Sequence, residues 1–223
     1  MIRTHVEVLS RPPERTRPKV TVGNVRRLLA GEAKCEWAAW FLWRYDVPPE
    51  IDPPYLVEWK REHSALVAER TAYLEAQHYN VSMESENWLD AIGSLTGTRF
   101  IGKPDIAIIE PDLLTYEDCK TGDPCHADEV QLLLYTQIAR LRGVRKRIAC
   151  WLVYPDGRTQ VDMRDRVPMR DRFVALIGRF SGGTISTTPH PFECGRCKVR
   201  AYCCDRVMEP DRTNWEPLFD ERR

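Results

Sequence analysis

The order in which residue periodicity changes between positions 55 and 154 narrows the possible folds more than any other feature of this chain. Residues 55–77 are rich in helix formers and contain no Gly or Pro, which predicts one long helix. Short strand-forming runs follow at 80–84, 98–109 and 113–119, then a helical stretch at 127–141, then an apolar run at 148–154 that reads as a buried strand. Helix, three strands, helix, strand is the signature of a mixed α/β core with helices packed on a sheet. A further edge strand is expected at 158–163 and a helix at 169–180.

Polar residues are spaced along this framework in a way that concentrates chemistry. A strand points alternate side chains to one face, so Asp118 and Lys120 share a face and Cys119 points away. Asp105, in Gly102-Lys103-Pro104-Asp105, can bring a second carboxylate to the same place if it ends the neighbouring strand. Two hard oxygen ligands suffice for a Mg²⁺ ion that keeps several waters, the minimum equipment for metal-assisted phosphodiester hydrolysis. Gln131 and Tyr135 lie four apart on the following helix and so share one face. The inward stripe of the long helix reads as Trp59, His63, Leu66, Val67, Arg70 and Leu74, which turns His63 toward the sheet. Glu117 faces away from Asp118 and reads as an exposed or supporting acid.

Lys and Arg total 33 and Asp and Glu total 33, so no net field draws nucleic acid to the chain, and any binding must rest on local patches. The run 140–147 and the stretch 11–19 are basic, the latter proline-rich and read as an extended, poorly ordered arm. No apolar run is long enough for a bilayer, and the N-terminal residues lack a signal-peptide core, so a cytoplasmic protein without a membrane partner is expected. The eight cysteines are scattered through a chain long enough to build its own core, which favours metal or cluster ligation over a disulfide framework. Cys194, Cys197 and Cys203 are closely spaced near one end, with Cys35 near the other. Four thiolates suit tetrahedral zinc or an iron-sulfur cluster, and spacing does not choose between them; Cys204 adjoins Cys203 as an alternative donor.

Gly-x-x-Asp, Asp-x-Lys and Gln-x-x-x-Tyr in this order resemble the RecB-like branch of the PD-(D/E)xK nuclease superfamily over roughly residues 55–155. The split of one early and three late cysteines resembles the CRISPR-associated adaptation nucleases and the AddB nuclease domain. The resemblance implies a restriction-endonuclease-like mixed sheet core. It implies a Mg²⁺ or Mn²⁺ site made by His63, Asp105 and Asp118, with Lys120 supporting the attacking hydroxide and the transition state. It implies that Gln131 and Tyr135 line the DNA path and that Cys35, Cys194, Cys197 and Cys203 hold a [4Fe-4S] cluster. Glu84 stands where the family often has a further strand glutamate, and Glu86 competes for that place.

The expected organisation is a flexible basic arm at 1–19, an N-terminal helical segment at 20–54 carrying the first cluster cysteine, a nuclease core at 55–182, and a cysteine-rich segment and tail at 183–223. The cluster would fasten the terminal segments beside the core by closing a loop of most of the chain. It would also frame a passage for one DNA strand. Trp37, Trp40, Phe41 and Trp43 read chiefly as packing residues at helical spacing, with base stacking as the other possibility. The expected activity is a metal-dependent exonuclease or end-processing nuclease acting on DNA that is single-stranded or has a free end, in a prokaryotic cell or from a virus within it. Two other classes fit the same residues: a partner-dependent DNA-binding subunit of a recombination or CRISPR adaptation complex, and a zinc-stabilised scaffold without catalysis.

Overall fold

The computed structural model describes residues 8–49, 54–83 and 86–207. Glu84 therefore lies outside the described residues, as do positions 1–7 and the tail after 207. In chain order the elements are β1 (Lys19–Thr21), α1 (Val22–Leu29), α2 (Glu36–Arg44), α3 (Pro54–Ala76), β2 (Val81–Met83), β3 (Leu89–Ile92), β4 (Arg99–Gly102), β5 (Ile106–Ile109), β6 (Leu113–Cys119), α4 (His126–Leu141), β7 (Arg147–Tyr154), β8 (Gly157–Gln160), α5 (Arg166–Gly182) and α6 (Pro191–Gly195). The strands form two mixed sheets, β1-β4-β3 and β2-β5-β6-β7-β8. The fold is α/β with helices flanking the sheets, as the order of periodicities required.

The larger sheet has β6 at its centre, antiparallel to β5 and parallel to β7, with α4 as the crossover that a parallel pair needs. Both of its faces are covered. On one side Ala107, Leu114, Tyr116, Cys150 and Leu152 join the core that includes Val130, Leu133, Leu134 and Ile138 of α4. On the other, Ile106, Ile108, Cys119 and Val153 pack with Val67 and Leu74 of α3. Alternation along β6 thus sends Tyr116 and Asp118 to the α4 side, and Glu117 and Cys119 to the α3 side.

Several expectations need correction. The run at 98–109 is two strands in two different sheets, and Lys103-Pro104-Asp105 carries the chain from one to the other. Pro104 has no N–H to give a ladder, and its carbonyl is bound by the side chain of Asn87 at 3.4 Å, which also donates to Ser82 at 2.7 Å. The strand β3 went unread because four residues bounded by exposed Trp88 and Gly93 carry little periodic signal. From Val8 onward the N-terminal stretch is tied down: Leu9 N–H donates to Ala201 at 3.0 Å and Arg15 N–H to Arg44 at 2.8 Å, and β1 then pairs in parallel with β4. As their helical spacing led one to expect, the aromatic residues of α2 are packing residues, with Phe41 and Trp43 buried and Phe41 stacked on Tyr202 at 5.2 Å. Three cations of the basic run 140–147 bind backbone carbonyls: Arg140 that of Val144 at 2.7 Å, Arg142 that of Trp88 at 2.9 Å and Lys146 that of Glu110 at 2.7 Å. No helix among the described residues is long and apolar enough to cross a membrane.

Candidate active site

The C-terminal end of β6 is where the polar residues meet. Asp118 is almost completely buried there, and two residues later, just past the end of β6, Lys120 turns its ammonium back onto Asp118 Oδ2 as an ion pair. The same ammonium donates to Gln131 Oε1 at 3.2 Å, and Gln131 Nε2 donates to Asp118 Oδ1 at 2.9 Å. Gln131 therefore bridges the acid and the base. Tyr135, one turn further along α4, donates its hydroxyl to the Lys103 carbonyl at 3.1 Å and lies 2.8 Å from Gln131 Nε2.

Tyr135 is buried and its hydroxyl is committed to these partners, so it supports the site from within and offers no surface to a DNA strand. Its ring also explains Gly102. A Cβ on that glycine would lie 2.6 Å from Tyr135 Cδ1, far inside contact distance. Gly-x-x-Asp in this chain is thus a space left for the tyrosine, followed by the acid.

Asp105, also buried, enters from the loop between the two sheets. Its Oδ2 accepts the Cys119 N–H at 2.7 Å and lies 3.1 Å from His63 Nε2 on α3. The bond to Asp105 raises the His63 pKa, against a smaller opposing effect of burial. Burial pushes the Asp118 carboxyl up to about 7, and the nearby Asp105 carboxylate adds to this while Lys120 opposes it. Lys120 loses by burial, but the Asp118 and Asp128 carboxylates more than offset that and hold it above the usual lysine range. His63 is half-buried and stacked at 5.2 Å and 26° on Trp59, which is 45% exposed and not part of the inward stripe expected of it.

Two residues of this network had no place in the sequence reading. Asp128 is buried in the first turn of α4, and its Oδ1 lies 3.4 Å from Lys120 Nζ and pairs with Arg26 of α1. Asp128, Gln131 and Tyr135 stand at i, i+3 and i+7, so helical spacing from the glutamine-tyrosine pair was the available signal. Nothing local announces Arg26, 102 residues away. Glu117 is also corrected: it is fully buried on the α3 side, held by Arg70 through two bonds of 2.7 Å and by Arg158 at 3.3 Å.

Among the described residues, no three His, Cys, Asp or Glu side chains are gathered as a ready metal site. The donor set still fits a divalent cation. Asp118 Oδ2 is buried against the Lys120 ammonium, so the site already holds positive charge at that oxygen. Asp105 and His63 present hard oxygen and imidazole nitrogen beside it.

Beside α1, Cys35, Cys194 and Cys197 line one cavity of about 200 Å³ together with Arg27 and Leu28. Burial raises the Cys197 thiol to about 11, and the neighbouring thiols of Cys35, Cys194 and Cys203 add to it. Glu193 sews the segments together by accepting the backbone N–H groups of Lys34 at 3.2 Å and Cys35 at 3.3 Å. Cys119 and Cys150 are buried and Cys125 is exposed, while Cys204, also exposed, adjoins Cys203.

Fourteen solved chains are similar, three among them at low identity. These three are SSO0001 (15% identity, covering 87% of this chain and 89% of that one, TM-score 0.48), the alkaline exonuclease LHK-Exo from Laribacter hongkongensis (14%, 74% and 89%, TM-score 0.43), and LHK-Exo in complex with dAMP (15%, 74% and 89%, TM-score 0.44). No curated protein matches by sequence. The sequence pattern of one family runs from residue 10 to residue 204, through both sheets, the β6 end and the late cysteines, and by that match this chain belongs to the PD-(D/E)XK nuclease superfamily.

Proposed function

We propose that the protein is a divalent-metal-dependent DNA exonuclease or end-processing nuclease of RecB-like type that acts on single strands. The observation that carries this reading is the convergence of Asp105, Asp118, Lys120 and His63, from a loop, the end of a strand and a helix, around a buried carboxylate whose Oδ2 meets the Lys120 ammonium. Asp105, Asp118 and His63 would hold Mg²⁺ or Mn²⁺. The ion supplies Lewis-acid chemistry at the phosphoryl oxygen. Lys120 carries the positive charge that steadies the developing phosphorane. Gln131 fixes the separation of Asp118 and Lys120, and Tyr135 fixes Gln131. His63, bonded to Asp105, keeps that carboxylate turned toward the site.

A preference for single strands is supported by the Trp59 ring. It is exposed, stacked on His63, and one turn from Tyr55, which is 74% exposed. Unpaired bases stack on such rings whatever their sequence, whereas a duplex has no free base faces to offer. A [4Fe-4S] cluster on Cys35, Cys194, Cys197 and Cys203 is part of the same proposal, favoured by four thiols converging from both ends of the chain. Soft thiolates suit it, and it would pin α2 to the C-terminal segment.

The deciding experiment is digestion of end-labelled single-stranded and duplex DNA by anaerobically purified protein with Mn²⁺ or Mg²⁺, beside Asp118→Asn, with iron and the visible spectrum measured on the same sample. Metal-dependent shortening of the single strand, lost in the variant, supports the reading. Equal cleavage by both proteins overturns it. Cleavage that appears only after a recombination or CRISPR adaptation protein is added would assign the chain to a partner-dependent complex. Zinc in place of iron would overturn the cluster alone.

A further inference from the structure

The Lys120 ammonium stands between two buried carboxylates, Asp118 and Asp128, and only the first belongs to the proposed metal site. A cation on Asp118 needs the oxygen that the ammonium holds in this structure, so loading the site means moving a positive charge off it. A buried ammonium cannot be left unpaired without a large penalty. The site supplies the destination: Asp128 Oδ1 at 3.4 Å and Gln131 Oε1 at 3.2 Å from Nζ.

We propose that Asp128 is a positioning residue that receives the Lys120 ammonium when a divalent cation occupies Asp118, and that Arg26 of α1 sets how strongly it does so. This rests on the metal reading given above. Asp128 is fixed for the task. Its backbone N–H bonds to the Cys125 carbonyl at 3.1 Å, and the neighbouring Ala127 N–H donates to Glu32 Oε1 at 2.8 Å, which anchors the first turn of α4. Arg26 shares Oδ1 with the ammonium, so the seat is partly neutralised and does not draw Lys120 permanently away from Asp118. The lysine is thereby held within reach of both acids, on Asp118 Oδ2 and 3.4 Å from Asp128 Oδ1.

The inference is tested by the affinity of the purified protein for Mn²⁺, read by calorimetry without DNA, in a double-mutant cycle of Asp128→Asn and Lys120→Met. Asp128→Asn in the wild-type background should weaken Mn²⁺ binding about tenfold, because the ammonium loses its second seat and competes for Asp118. Lys120→Met should bind at least as tightly as wild type. In the Lys120→Met background the effect of Asp128→Asn should shrink to less than about threefold. An equal loss in both backgrounds would mean that Asp128 acts only as a distant charge or a structural acid, and would overturn the proposal. If Asp128→Asn fails to fold, Arg26→Gln gives the opposite-sign test: tighter Mn²⁺ binding with Lys120 present and no change with Met at 120, while weaker binding overturns it. An Asp118→Asn protein that binds Mn²⁺ as the wild type does would remove the metal reading itself, a result separate from any of these.

Discussion

Glu117 and Asp118 are sequence neighbours on one central strand, both almost wholly buried, yet the protein treats them in opposite ways. Glu117 faces α3 and receives a two-bonded guanidinium from Arg70 and a third bond from Arg158, which itself lies over the Trp151 ring at 4.3 Å. Its charge is fully answered. Asp118 faces α4, beside a second carboxylate, with its Oδ1 on the Gln131 amide and its Oδ2 on an ammonium that it shares with Asp128. A buried acid held by two guanidinium groups holds a fold together, whereas one that shares a single ammonium with another acid is available for chemistry. Strand alternation puts the two within one residue of each other without mixing their roles.

That contrast is open to direct attack. Asp118→Asn should abolish metal-dependent cleavage, by about a thousandfold or more, with the fold intact by circular dichroism, and Lys120→Ala should cost about a hundredfold in kcat. Glu117→Gln should do the reverse. Removing the charge that two arginines share costs about 3–5 kcal/mol of stability in urea titrations, while Mn²⁺ affinity at temperatures where the protein is folded stays unchanged. A stable but inactive Glu117→Gln protein would erase the distinction drawn here.

The pH dependence sharpens it further. Burial raises the Asp118 pKa to about 7, so protons compete with the cation below that value, and Mn²⁺ affinity should climb as pH approaches about 7 and level off above it. The same raised pKa contributes stability to the ion-free protein at acid pH that is lost as pH rises through about 7, and adding Mn²⁺ should restore it in thermal melts. Gly102→Ala pushes on the Tyr135 ring and should cost about 1–3 kcal/mol together with part of the activity. The smallest effect expected is Trp59→Ala, which should weaken binding of a short oligothymidylate by about 1–2 kcal/mol in Ca²⁺, with Trp59→Phe retaining most of it and duplex binding unaltered.

How much of this could be read from the sequence depends on how local each cause is. The alternation of Asp118 and Lys120, the pairing of Gln131 with Tyr135 and the long helix ahead of the sheet are local patterns, and the structure places each as its period dictates. The break at Lys103-Pro104 looked like the middle of one strand, because whether a chain stays in a sheet or leaves it is decided by distant partners. Asp128 resembled an ordinary acid in the first turn of a helix, where negative charge is favoured anyway. The Glu117–Arg70 pair spans 47 residues and the Arg26–Asp128 pair 102, and neither leaves any trace in spacing. Trp59 was turned inward on paper because helical periodicity gives a stripe but not its width.

The ties from α1 to α4, Glu32 to Ala127 and Arg26 to Asp128, have a consequence for the order of events as the chain folds. The residues that bear the chemistry lie between positions 63 and 135, but the first turn of the helix that presents Gln131 is anchored from residues 26 and 32, made much earlier in synthesis. Such contacts form late, once distant parts of the chain have met. A partly unfolded chain therefore carries the acids and the lysine without the framework that aims them, and the geometry at the end of β6 is complete only once these distant contacts have formed.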